Sequence, residues 1–173
     1  MFNLKPTYLI DGDITALKQE QLLADGIQGL ILDLDNTIMC SGHGVLKEDV
    51  LNWLLKCIEL KISMIIVTNN KDYQYLSKVN LIFSKLEIPI IAQACKPKTK
   101  KLLEALKVLK LPAEKVCLVG DRVLTDILGG AYSSIPTALV RPLIGKEERA
   151  LFRFLRRLEY LCLEPTSRYT VHW

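Results

Sequence analysis

Residues 28–37 read Gln28-Gly29-Leu30-Ile31-Leu32-Asp33-Leu34-Asp35-Asn36-Thr37. Gln28–Leu34 is a short apolar run that ends in acids, the pattern of a strand buried on both faces. Residues i and i+2 of an extended segment point the same way, so Asp33 and Asp35 face one point. Two carboxylates aimed at one point repel each other unless a cation sits between or beside them. A hard divalent ion with oxygen ligands meets that demand, and beside a phosphate that ion is usually Mg²⁺.

Four more apolar runs follow: Ile62–Val67, Ile88–Ala92 (opened by Pro89), Lys115–Val119 and Thr137–Val140. Helical spacing separates them. Val50, Leu51, Leu54 and Ile58 share one face, and Tyr73–Leu86 reads as a second helix. Leu102, Leu103, Leu106 and Leu109 mark a third, which Pro97 can start. Val123–Leu128 opens a fourth that Gly129-Gly130 ends, and Gly145–Leu163 is the last. Strand and helix thus alternate five times. The expected fold is α/β: a doubly wound, parallel, five-stranded sheet with helices on both faces, forming one domain over residues 1–173. Right-handed crossovers bring the C-terminal ends of the strands to one edge, where open α/β sheets bind ligands.

Polar groups follow the strands with the same regularity. Thr68-Asn69-Asn70 comes after the second, Cys95-Lys96-Pro97-Lys98 after the third, and Gly120-Asp121 after the fourth, with Asp126 on the next helix. Alone, each has a structural explanation: a turn, an N-cap or a surface lysine. Four in order, each behind its own strand, form a consistent signal for one site. There Asp121 can add a metal ligand. One of Asp33 and Asp35 can attack phosphorus while the other serves as general acid and base. Thr68 and Lys96 can hold the non-bridging phosphate oxygens, and Asn69 joins them as a candidate phosphate ligand.

Ile31-Leu32-Asp33-Leu34-Asp35-Asn36-Thr37 resembles motif I of the haloacid dehalogenase (HAD) superfamily of phosphatases. Thr68 resembles the motif II residue, Lys96 the motif III lysine, and Gly120-Asp121 with Asp126 the motif IV acids. More narrowly, "DLDNT", "VTNN", "ACKPK" and "GDRVLTDILGG" are similar to the YqeG-type phosphatases of HAD subclass IIIA, over roughly residues 8–160. That family includes the organellar phosphatidylglycerophosphate phosphatases of yeast and plants. The resemblance implies a Rossmann-like sheet and a Mg²⁺-dependent aspartyl-phosphate mechanism, with Asp33 as nucleophile and Asp35 as acid/base. It implies metal ligation by an Asp33 carboxylate oxygen, the Asp35 backbone carbonyl and the Asp121 side chain. Asp126 would orient these ligands or add another, and Lys98 is a weaker rival of Lys96. Ser41-Gly42-His43-Gly44 departs from the family pattern, which leaves His43 either touching substrate or as a solvated loop residue.

The spacing between motifs bears on the substrate. Thirty residues, Ile38–Val67, precede Thr68; 25, Lys71–Cys95, precede Lys96; and 24, Pro97–Gly120, precede Asp121. A helix and a strand consume each interval, so none can hold a cap domain. An open rim favours a substrate whose bulk stays outside: a lipid head group, with phosphatidylglycerophosphate in phospholipid synthesis foremost by resemblance, or a macromolecule. A small soluble phosphometabolite is the alternative, with an oligomer supplying the cover. A non-catalytic binding module would have lost Asp33 or Asp35.

Charge is uneven. Residues 1–95 hold 8 Lys+Arg against 11 Asp+Glu, and residues 96–173 hold 15 against 8. A net +7 half suits an anionic partner. Leu151, Phe154, Leu155, Leu158, Leu161 and Cys162 form one face of the last helix, and Arg149, Arg153, Arg156 and Arg157 lie off it. The apolar face is expected to pack against the sheet, leaving the arginines for an anionic membrane surface. Interleaved aromatics and known nucleic-acid motifs are missing, so no nucleic-acid partner is expected. No apolar run approaches the ~18 residues of a membrane span. Five cysteines without a CxxC pair argue against a disulfide framework or a zinc site. The expected location is cytoplasmic, with peripheral membrane contact, or an organelle's stroma or matrix if a transit peptide has been removed.

Overall fold

The computed structural model describes residues 4–40, 44–143, 155 and 157–163. Its elements in chain order are β1 (Tyr8–Leu9), α1 (Gln19–Ala24), β2 (Gly29–Leu32), α2 (Glu48–Glu59), β3 (Ser63–Val67), α3 (Tyr73–Phe83), β4 (Ile90–Ile91), α4 (Lys100–Leu109), β5 (Val116–Gly120), α5 (Leu128–Ser133) and β6 (Thr137–Leu139). The strands form one sheet of order β1-β6-β5-β2-β3-β4, with every neighbouring pair parallel. The sheet therefore has six strands, not five. The sixth, β1, is an edge strand of two residues, too short to show a period.

The central strand shows why a continuous apolar run was required. Leu30 and Leu32 enter a core with Val50, Trp53 and Leu54 of α2 and Tyr75, Val79 and Phe83 of α3. Ile31 enters the opposite core with Leu102 and Ala105 of α4. All three β2 residues are fully buried. Truncating one to Ala costs about 2–5 kcal/mol. A third cluster joins Val123, Ile127 and Leu128 to Leu139, Leu4 and Leu163.

Two helix boundaries differ from expectation. Pro97 does not open α4, which starts at Lys100; residues 96–98 form a turn closed by Lys98 N–H on the Cys95 carbonyl at 3.0 Å. Nor do Gly129 and Gly130 end a helix. A π-helical turn, Val123–Ile127, runs into α5, which passes through both glycines and stops at Ser134, whose φ is 55°. The glycines are there for close approach: a Cβ on Gly130 would lie 2.1 Å from Thr137 Cγ2.

Most of the expected last helix lies outside the described residues, Arg149, Arg153 and Arg156 included. What is described departs from the expected packing, since of that face only Cys162 packs against the third cluster. Leu155, Leu158 and Leu161 are exposed, whereas Glu159 and Leu163 are buried. Among the described residues, this segment turns to the protein through a buried charge pairing at Glu159, described below, and through Leu163 in the third cluster.

Candidate active site

Because all strands run parallel, the segments after β2, β3, β4 and β5 meet at one edge. They enclose a cavity of about 150 Å³ lined by Asp33, Asp35, Thr68, Asn69, Asn70, Lys96, Asp121 and Arg122, among others. The four sequence groups are thus brought together. Lys98 is exposed, whereas the Lys96 side chain is 1 % exposed. His43 lies outside the described residues.

Lys96 is the hub. Its ammonium donates to Asp33 Oδ1 at 2.7 Å and to Asp126 Oδ1 at 2.6 Å. Asp33 is anchored by its backbone N–H on the Val119 carbonyl at 2.9 Å, and its Oδ2 accepts from Thr37 Oγ1 at 3.3 Å. Asp126 Oδ2 accepts from the Arg122 N–H at 3.2 Å and from Thr125 Oγ1 at 3.1 Å. Asp126 therefore stands behind Lys96. It needs Gly120 to do so, since a Cβ there would lie 2.3 Å from the Asp126 carboxyl carbon.

Asp35 points elsewhere. The strand ends at Leu32, so strict alternation does not reach residue 35. Asp35 Oδ2 accepts from Asn70 Nδ2 at 3.0 Å and, at a long 3.4 Å, from Thr68 Oγ1. The same hydroxyl accepts the Asn70 N–H at 3.0 Å. The two carboxylates of the DxD pair thus share a cavity and hold separate partners. Asn69 spends its carboxamide on the main chain of Lys96: Nδ2 donates to the Lys96 carbonyl at 3.0 Å, and Oδ1 accepts its N–H at 2.6 Å. Its side chain places Lys96, and the second Nδ2 hydrogen stays available to a phosphate in the cavity that Asn69 lines.

Electrostatics follow from burial. Burial pushes the Asp33 carboxyl up to about 6, with Lys96 opposing and Asp126 adding to the rise. Burial alone would lower the Lys96 ammonium, but Asp126 and Asp33 more than reverse that and raise it, keeping it charged. Oxygens of Asp33, Asp121 and Asp126 lie within 4.8 Å of one another, while Asp35 Oδ1 is buried with no hydrogen-bond partner among the described residues. Lys96 bridges two of these four carboxylates, Asp33 and Asp126, while Arg122 pairs with Glu159. An all-oxygen set of clustered carboxylates, with one oxygen lacking a hydrogen-bond partner among the described residues, fits a hard divalent cation such as Mg²⁺.

Two residues escape sequence reasoning. Glu159, buried on the C-terminal segment, accepts from Arg122 Nε at 2.9 and 3.1 Å, pairs with Arg122 Nη2, and accepts the Val123 and Leu124 N–H groups at 3.0 and 3.4 Å. It caps the turn that carries Asp126. Among neighbouring arginines its acid gave no signal. Tyr75 was hidden as a core residue of α3. Its hydroxyl is buried beside Asp35, with no hydrogen bond of normal geometry among the described residues, and burial, followed by the Asp35 charge, pushes its pKa up.

The HAD-hydrolase-like family model matches residues 93–157. The chain is 31 % identical over 156 residues to the Bacillus subtilis protein named Probable phosphatase YqeG, covering 90 % of this chain and 88 % of that one. It is 26 % identical over 161 residues to Phosphatidylglycerophosphate phosphatase 1, chloroplastic/mitochondrial, of Arabidopsis thaliana, covering 90 % of this chain but 46 % of that relative. In fold it is similar to a HAD-superfamily hydrolase, subfamily IA, from Geobacter sulfurreducens: TM-score 0.52 at 12 % identity, covering 76 % of this chain and 97 % of that one.

Proposed function

Since this chain belongs to the YqeG-type phosphatases of the HAD superfamily, we propose that it hydrolyses a phosphomonoester with Mg²⁺ through an aspartyl phosphate on Asp33, and that its substrate is the lipid phosphatidylglycerophosphate. The observation that carries the reading is the Lys96 ammonium, held 2.7 Å from Asp33 and 2.6 Å from Asp126 inside the small cavity that Asp35 also lines.

Asp33, restrained by Thr37 and Lys96, presents a carboxylate oxygen to phosphorus. Asp35, held by Asn70 and Thr68, delivers a proton to the departing alcohol oxygen. It then takes a proton from the water that cleaves the aspartyl phosphate, releasing phosphate and restoring both acids. Lys96, steadied by Asp126 and Asn69, and the Thr68 hydroxyl donate to the phosphoryl oxygens. Asp33, the Asp35 carbonyl and Asp121 would hold Mg²⁺, with Asp126 orienting them; when bound, the ion neutralises phosphoryl charge.

Three observations support a lipid. The cavity over Asp33 has room for little more than a phosphate, so the rest of the ester stays outside. Exposed Leu155, Leu158 and Leu161 lie beside exposed Arg157, the surface of a helix that can lie on an anionic membrane. The similar Arabidopsis protein is named for that lipid. No helix among the described residues is long and apolar enough to cross a membrane, so contact would be peripheral, on either a cytoplasmic or an organellar face.

The test is phosphate release by the purified protein from 4-nitrophenyl phosphate, sugar phosphates and phosphatidylglycerophosphate, with Mg²⁺ or with chelator. The expected result is release only with the ion, and most efficiently from the lipid. Full activity in excess chelator would end the metal reading, and preference for a sugar phosphate would end the lipid one.

A further inference from the structure

The first turn of α3 has two sides. Tyr75 is buried beside Asp35. Tyr73, two residues earlier, is 83 % exposed on the outer side. Tyr73 and Leu76 form one wall of a second cavity, with Ile90 and Gln93 opposite and Lys71 and Asn80 completing it; its volume is about 340 Å³, more than twice that of the cavity over Asp33.

Two hydrogen bonds link the cavities. Asn70 Nδ2 donates to Asp35 Oδ2 at 3.0 Å, and the Gln93 N–H donates to the Asn70 carbonyl at 3.1 Å. Asn70 lines the first cavity, and Lys71 and Gln93 line the second. A general acid must lie within hydrogen-bond reach of the oxygen it protonates. With Asp35 as that acid, the alcohol leaves on the Asp35 side, next to Asn70, whose chain neighbour Lys71 and hydrogen-bond partner Gln93 line the second cavity. Carbon surface from Tyr73, Leu76 and Ile90 meets a cation there.

We propose that this cavity is the leaving-group subsite, filled by the glycerol of a glycerophospholipid head group, with Lys71 paired to the lipid's phosphodiester. This rests on the phosphatase reading. A phosphodiester stays anionic at every pH at which the enzyme would work, and an ammonium pairs with it as a point charge.

The experiment compares a short-chain phosphatidylglycerophosphate, kept monomeric so that no membrane takes part, with glycerol 1-phosphate and 4-nitrophenyl phosphate, which lack a diester. Lys71→Glu is expected to raise KM for the short-chain lipid about tenfold or more and to leave the other two substrates unchanged. Lys85→Glu, the same charge change just past the far end of α3, is expected to alter none of them. Short-chain phosphatidylglycerol, the product, should inhibit aryl phosphate hydrolysis competitively, and less so in Lys71→Glu. Equal effects on all substrates, or no effect on the lipid, would overturn the subsite while wild-type aryl hydrolysis left the phosphatase reading standing. Release of phosphate from none of the esters by wild type would overturn both.

Discussion

Arg122 and Glu159 form an ion pair that ties the C-terminal segment to the loop between β5 and α5. Glu159 Oε1 accepts from Arg122 Nε at 2.9 Å, and its other oxygen takes the Val123 N–H at 3.0 Å. This pairing raises the Arg122 guanidinium above its usual range, and the nearby Asp121 and Asp126 charges add to the rise. A single carboxylate thus caps the turn bearing Asp126 and pairs with a guanidinium that stands near the acids proposed to hold the ion.

Glu159→Ala is therefore expected to destabilise the protein by roughly 3 kcal/mol, the lower end for removing one partner of a buried pair, since Arg122 is partly exposed. Glu159→Gln keeps an acceptor for Val123 and should cost less, yet still raise the Mg²⁺ concentration needed for half-maximal activity. Urea unfolding checks the first, and direct calorimetric titration of Mg²⁺ checks the second. Unchanged affinity in Glu159→Gln would confine Glu159 to stability.

Asp33→Asn and Asp35→Asn should both end turnover by different routes. The first removes the attacking oxygen, so beryllofluoride, a mimic of the aspartyl phosphate, should bind wild type and not this variant. The second keeps the nucleophile but loses proton transfer, worth about 10²–10⁴-fold, and should still bind the mimic. Turnover retained by Asp33→Asn would mean that another residue attacks phosphorus.

Lys96→Met leaves Asp33 and Asp126 facing each other with no cation between them. In metal-free protein this should cost about 3–5 kcal/mol. Adding Asp126→Asn should recover part of that stability without recovering activity. Denaturant midpoints of the two variants, measured in chelator, decide this.

The architecture and the meeting of the four loops were legible because each rests on a period. Leu30, Ile31 and Leu32 had to be buried on both faces, and parallel strands had to end together. What escaped has no period. Tyr8–Leu9 is too short for alternation, and Gly129-Gly130 looks like a helix stop until Thr137 is seen against it. Asn69 reads as a phosphate ligand by position, and no period signals that its carboxamide also brackets the Lys96 main chain. The exposed leucines at 155, 158 and 161 show the limit of an amphipathic pattern. It identifies an apolar face but not what covers it, and here Glu159 and Leu163 are the buried residues instead.

Activity and ion binding should both depend on Asp33 ionisation. Its folded value of about 6 stands above the unfolded 3.8. For this raised group the stabilising contribution is fully present below pH 3.8 and is lost as pH rises through 6. Stability of the metal-free protein from this source should thus decline between those values, and less steeply in Asp33→Asn. Mg²⁺ favours the ionised form, so binding should release close to one proton at pH 5 and almost none at pH 7.5. Calorimetry in two buffers of different ionisation enthalpy measures this. Equal proton release at both values would place the titration elsewhere.

The last prediction concerns the surface on which the enzyme works. The lipid phosphate proposed as substrate lies in the head-group plane, so on that reading the site's edge approaches an anionic surface. Each Lys or Arg near such a surface adds about 1 kcal/mol, and the attraction fades as salt shortens the Debye length to ~10 Å at 0.1 M. Arg149, Arg153, Arg156 and Arg157 together could thus contribute several kcal/mol. Leu155, Leu158 and Leu161, exposed as they are, can add buried apolar area that salt does not screen. Changing the four arginines to Gln should weaken binding to anionic vesicles most at low salt and lower activity on membrane-bound phosphatidylglycerophosphate. Changing the three leucines to Ser should weaken it at every salt concentration. In both variants, hydrolysis of 4-nitrophenyl phosphate should stay near wild type, because Asp33, Asp35, Thr68, Lys96 and Asp121 are untouched. A parallel fall on both substrates would instead assign the helix to stability, through Glu159 and Leu163. Vesicle binding that ignored both sets of changes would remove the C-terminal helix from the membrane contact.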